Sequence, residues 1–162
     1  DRQLKMTLGR FGAFLIGKDE MQKGFEIGQS NEVIKGGKIY DLHNHYDLIG
    51  VLLLGKARRL RLFFEPNAEH GKGNYPISLD FEQLDFIEFS PNFGTRIISG
   101  LDEMGYKNPG DRDDEWLMDE RQATSDDHLY FRLDGVDFIR IHCRVADLHE
   151  AKLTSPMIQP TG

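Results

Sequence analysis

The chain has 162 residues, with 20 Lys and Arg set against 27 Asp and Glu, so its formal net charge is −7 with histidine neutral. That balance argues against a general nucleic-acid or anionic-membrane binder, because repulsion from phosphate meets no compensating basic surface. One cysteine, Cys143, excludes an internal disulfide and fits a reducing, cytoplasmic setting, and the length suits one β-rich domain over residues 1–152 with its own core.

At the amino end, residues 4–8 and 11–16 read as a hairpin turned at Gly9-Arg10, and a stretch punctuated by Gly24, Gly28, Gly36 and Gly37 follows. Residues 48–54 form the longest apolar run, too short to span a bilayer and apolar on both faces, as a central strand would be. The Gly55-Lys56 turn leads into a period-two strand in which Leu60, Leu62 and Phe64 alternate with Arg59, Arg61 and Phe63. Ile77, Leu79 and Phe81 alternate in the same way, and residues 86–89 make a further strand stopped by Ser90-Pro91-Asn92.

Residues 129–133 and 136–145 flank Asp134-Gly135, a dipeptide that supplies positive φ at a tight hairpin. In the second of these strands Ile139, Ile141, Cys143 and Val145 share a core face, and Arg140, His142 and Arg144 share an outward face with Phe138. Cys143 is therefore a small buried hydrophobe rather than a nucleophile paired with His142, since adjacent strand residues point apart. Short helices are expected at residues 18–23, 101–104 and 115–122, and residues 153–162 read as a flexible tail. Segment 81–89 (FEQLDFIEF) aligns without gaps on 133–141 (LDGVDFIRI). The expected fold is a mainly antiparallel β-sandwich of paired hairpins, two of them equivalent, with a few short helices.

The acidity is local. Residues 102–127 hold ten acids and three bases, a net charge of −7 that equals the charge of the whole chain, so the remaining residues balance to zero. Within this insertion Asp111, Asp113, Asp114, Glu115, Asp119 and Glu120 surround Trp116, the sole tryptophan. An aromatic anchor among carboxylates has the composition of a docking surface for a basic protein partner, although it would equally serve to pin the loop onto the core.

Asp41, His43, His45 and Asp47 form the other constellation. In an extended segment these four share one face, and two imidazoles two residues apart can ligate one divalent transition metal. Gly37 stands five intervening residues before His43, as in the first element of cupins, so a metal-dependent cupin-like enzyme is the alternative reading. No phosphate-binding loop, EF-hand loop or serine-nucleophile element is complete, and a homo-oligomer through an exposed strand edge is a third reading.

The succession from Leu42 through His43-Asn44-His45-Tyr46-Asp47, the hydrophobic strand, the Gly55-Lys56 turn, the strands around Leu60 and Leu79, and the step Leu84-Asp-Phe-Ile-Glu88 resembles small bacterial β-sheet immunity-protein families associated with polymorphic toxins. That resemblance implies a non-enzymatic protein that neutralises a basic toxin through an acidic surface.

Overall fold

The computed structural model describes residues 20–151. The expected hairpin at residues 4–16 and the tail at 153–162 lie outside them. Twelve strands occur, and no helix does among the described residues. In chain order they are β1 (Gln22–Lys23), β2 (Glu26–Ile27), β3 (Glu32–Lys35), β4 (Lys38–Asp41), β5 (Tyr46–Leu54) and β6 (Arg59–Pro66), followed by β7 (Ile77–Glu82), β8 (Phe86–Phe89), β9 (Leu101–Lys107), β10 (His128–Leu133), β11 (Asp137–His142) and β12 (Val145–Glu150). The chain is thus mainly β, and no helix among the described residues is long and apolar enough to cross a membrane.

Three sheets form, none closed into a barrel. A five-stranded sheet has the order β1-β12-β7-β6-β5, a four-stranded sheet the order β8-β11-β10-β9, and a small sheet the order β2-β3-β4. Period-two alternation turns one face of each sheet inward. Leu60, Leu62, Phe64, Leu79 and Phe81 of the first meet Leu129, Phe131, Ile139 and Ile141 of the second in one cluster, to which the third adds Ile27, Val33 and Tyr40. Phe81 and Phe131 touch edge to face at 5.7 Å. Cys143 is fully buried in this cluster, and burial pushes its thiol up to about 12.

Five expectations are corrected. The helix foreseen at residues 101–104 is the start of β9, because pairing with β10 from Leu101 to Lys107 overrides local preference. Gln22 and Lys23 join β12 in parallel, and residues 115–122 form turns around a single bridge from Met118 to Tyr106. The run at 48–54 belongs to β5 at the edge of its sheet, with Leu52, Leu53 and Leu54 exposed, not at its centre. Finally, the two similar segments are not equivalent hairpins. β10 and β11 pair across Asp134-Gly135, both with positive φ, whereas β7 and β8 part at Gln83 into different sheets. There the amides of Leu84 and Asp85 bind the carbonyls of Arg58 and His142 instead of each other's strand.

Candidate functional site

The acidic insertion closes over the outer face of the four-stranded sheet. Alternation places Lys107 of β9, His128, Tyr130 and Arg132 of β10, and Phe138, Arg140 and His142 of β11 on that face. The expected wet face is covered instead: Lys107 and Arg140 are buried, and Tyr130 stacks on Phe138 at 5.3 Å. Residues 108–127 form the cover, and the sheet's cations hold it by its carbonyl groups.

Lys107 donates to the carbonyls of Arg112 and Glu115, both at 2.7 Å. Burial, reinforced by Arg132 and Arg140, pushes its pKa below the usual lysine range. Arg140 donates to the carbonyls of Asn108 at 2.8 Å and Asp111 at 2.9 Å, to Asp113 Oδ1 at 3.3 Å and to His128 Nδ1 at 3.0 Å. Tyr130 Oη donates to the carbonyl of Asp113. A main-chain bridge between Met118 and Tyr106 seals the free edge of β9 at 2.8 and 3.0 Å. Gly105 is required beneath it, because a Cβ there would stand 2.8 Å from the Met118 carbonyl.

The two histidines under the cover are driven in opposite directions. Burial, with the charges of Arg140 and His142, lowers His128 to about 4, and it stacks on Phe86 at 4.3 Å. For His142, burial pulls downward but the Ser125 carbonyl and Asp85 outweigh it, so its pKa is raised. Its Nδ1 lies 2.6 Å from Asp85 Oδ1 and its Nε2 lies 2.8 Å from the Ser125 carbonyl. Both nitrogens can donate at once only in the imidazolium form.

These contacts sort the seven predicted docking residues. Asp113 turns inward to Arg140, and Asp111 accepts from the Asn108 amide. Glu120 accepts from Lys23 at 2.5 Å, from the Ile27 amide and from Tyr106 Oη, tying the insertion to β1 of the five-stranded sheet and β2 of the small one. Asp119 is exposed while accepting from the Arg121 and Gln122 amides. Asp114 and Glu115 are exposed beside Arg112, and Trp116 is 94% exposed at the crest. Trp116 therefore does not pin the loop to the core; Lys107 and Arg140 do. The outward face read for Arg140 and His142 is thus the face that the insertion covers, and the sequence reading misses Lys107 and His128. Tyr130 and Phe138, aromatic on a nominally wet face, were the signal that something covers it.

The Asp41, His43, His45, Asp47 group takes another form from the one expected. Only Asp41 and Asp47 belong to strands, and residues 42–45 make a turn rather than an extended segment. Asp41 accepts from the Asn44 amide at 2.9 Å and from Asn44 Nδ2 at 2.8 Å, and His43 Nδ1 lies 2.6 Å from the Leu101 carbonyl. Among the described residues no three His, Cys, Asp or Glu side chains are grouped so as to hold a metal ion.

Arg59 and Arg61 face outward, as their alternation with Leu60 and Leu62 implies, and pair with Glu82 and Asp80 on the neighbouring strand β7. Comparison with known proteins finds no matching family model, no matching curated protein and no matching solved structure.

Proposed function

We propose that the protein is a non-enzymatic binding module that captures a basic protein partner on the crest of its acidic cover. The observation that carries this reading is Trp116, 94% exposed and framed by the exposed carboxylates of Asp114, Glu115 and Asp119. A large aromatic side chain left wholly in water stabilises nothing in the isolated fold; buried against a partner it supplies the apolar anchor, and the carboxylates speed and select encounter with cations. Asp111, Asp113 and Glu120 serve the same site indirectly, by holding the crest in place. On this reading the protein is of immunity type and acts in the cytoplasm, neutralising a basic toxin by occupying its cationic surface. The architecture under it is a β-sandwich in which the five- and four-stranded sheets stack through contacts such as Phe81 on Phe131.

The test is replacement of Asp114, Glu115 and Asp119 by Asn, Gln and Asn. Binding to a cationic partner should weaken and lose most of its dependence on salt, with folding intact. Unchanged affinity and unchanged salt dependence would refute the reading.

A further inference from the structure

The edges of the three sheets are unequally protected. β1 and β2 are two residues long, and the Ile27 amide is already taken by Glu120. β4 and β8 have four residues each and carry charge. The free edge of β9 is closed at one end by Asn31, whose side chain binds the Asp102 carbonyl and the Met104 amide, and at the other by Met118. β5 differs from all of these: it has nine residues and among the described residues pairs only with β6, and its stretch from residue 49 to 54 contains no charge. Natural edges of that length are normally blunted by charge, proline or cover. Here a bulge at Ile49 and a bond from the Leu48 amide to the Ser99 carbonyl close only the first half.

The open half is furnished to receive a strand. Leu52 and Leu54 border a hollow of about 200 Å³ on one side of the sheet, and Leu53 borders one of about 190 Å³ on the other, with Leu84, Phe86 and Ile87. An added strand places alternate side chains on the two faces, so each set finds a hollow.

The charges at the two ends say which strand fits. The exposed acids Asp47 and Glu65, paired across β5 and β6, stand at the start of β5, and the exposed bases Lys56 and Arg58 stand in the turn after it. An antiparallel copy of the same edge sets the acids of each molecule against the bases of the other, whereas a parallel copy opposes like charges. We infer that β5 is a self-association edge, joining two copies antiparallel about an axis near Leu52 into one continuous ten-stranded sheet, with Trp116 free on each. Such an isologous contact satisfies both edges at once and leaves neither open.

Sedimentation velocity on the full chain, from low micromolar to on the order of 100 μM, reads the association directly. The expected result is a concentration-dependent dimer. Leu52→Lys, at an exposed position, should weaken it at least about tenfold by placing two like charges near the axis. Asp47→Lys and Lys56→Glu should each weaken it, and the two reversals combined should restore it. Trp116→Ala should leave it unchanged. A monomer throughout, a dimer indifferent to Leu52→Lys, reversals that fail to compensate, or a dimer lost on Trp116→Ala would each overturn the inference. Far-UV circular dichroism checks that every variant folds, and the charge reversals carry the test even if Leu52→Lys does not.

Discussion

Replacing Arg140 by Met tests whether the acidic cover is held by buried cations. Arg140 is 4% exposed and its guanidinium donates to four acceptors, three of them in residues 108–113. Methionine fills much of the space but donates nothing, so these acceptors lose their partner beneath the cover. Removing one member of a buried ionic group costs about 3–5 kcal/mol. Three acceptors lie in a loop that can turn partly to water, which places the expectation at the low end, about 3 kcal/mol. For a chain of this size that lowers the melting temperature by about 6–12 °C. Arg61→Met is the matched control. Its ion pair with Asp80 lies on the outer sheet face with the arginine side chain 48% exposed, so its loss should cost at most about 1 kcal/mol. Urea denaturation gives the two costs, and hydrogen exchange should show faster exchange within residues 108–127 for the Arg140 variant alone. A loss below about 1 kcal/mol, or unchanged exchange there, would refute the gripping role of Arg140.

The histidine pair predicts a signature in pH. His128 titrates near 4 in the folded chain against an ordinary 6.5, so the unfolded chain takes up a proton that the native one refuses, and stability falls as pH drops from 6.5 toward 4 by about 3 kcal/mol in total. His142 works in the opposite sense: its contribution is full below 6.5 and is lost as pH rises through its raised native value. Urea unfolding across pH should therefore show His128→Gln flattening the acid limb and His142→Gln removing the loss that sets in as pH rises above 6.5; swapped effects would contradict the assignment. Asp137 is buried with Ser90 Oγ at 2.6 Å and Arg96 on its other oxygen, contacts that hold its pKa low against burial, so Asp137→Asn should cost about 2–4 kcal/mol by denaturation, and a neutral result would sink the clamp. Cys143 should react with a thiol reagent at pH 8 only after unfolding, and rapid native labelling would contradict its burial.

How far the fold was legible depends on what each signal measures. Alternation in β6 and β7 marks a half-buried surface correctly, in β10 and β11 it marks the core face but not the cover on the other, and Asp134-Gly135 marks its hairpin because both positions need positive φ. The apolar run in β5 misleads because hydrophobicity on both faces signals a central strand only when other strands lie on both sides, and among the described residues β5 has a neighbour on one side, β6. The similarity of 81–89 to 133–141 misled for a related reason. Two strands joined by a short turn can pair with each other or with other partners, and here β7 pairs with the preceding strand β6 and with β12, while β8 pairs with β11, both β12 and β11 being far away in sequence. The acidic insertion was visible as composition. Which of its acids turn inward was not, because that is set by Arg140 and Lys23, which flank the insertion from outside it.

The central claim is that Trp116 and its exposed acids form a docking crest. Being the sole tryptophan and nearly wholly in water, Trp116 reports directly on that claim through its own fluorescence. Titrated with cationic proteins and peptides, the wild-type chain should show a saturable blue shift with at least one basic partner. The shift should weaken as salt rises and be lost when Asp114, Glu115 and Asp119 are replaced by their amides. Emission that stays at the water-exposed wavelength with every basic partner, or a shift indifferent to salt and to those replacements, would contradict it.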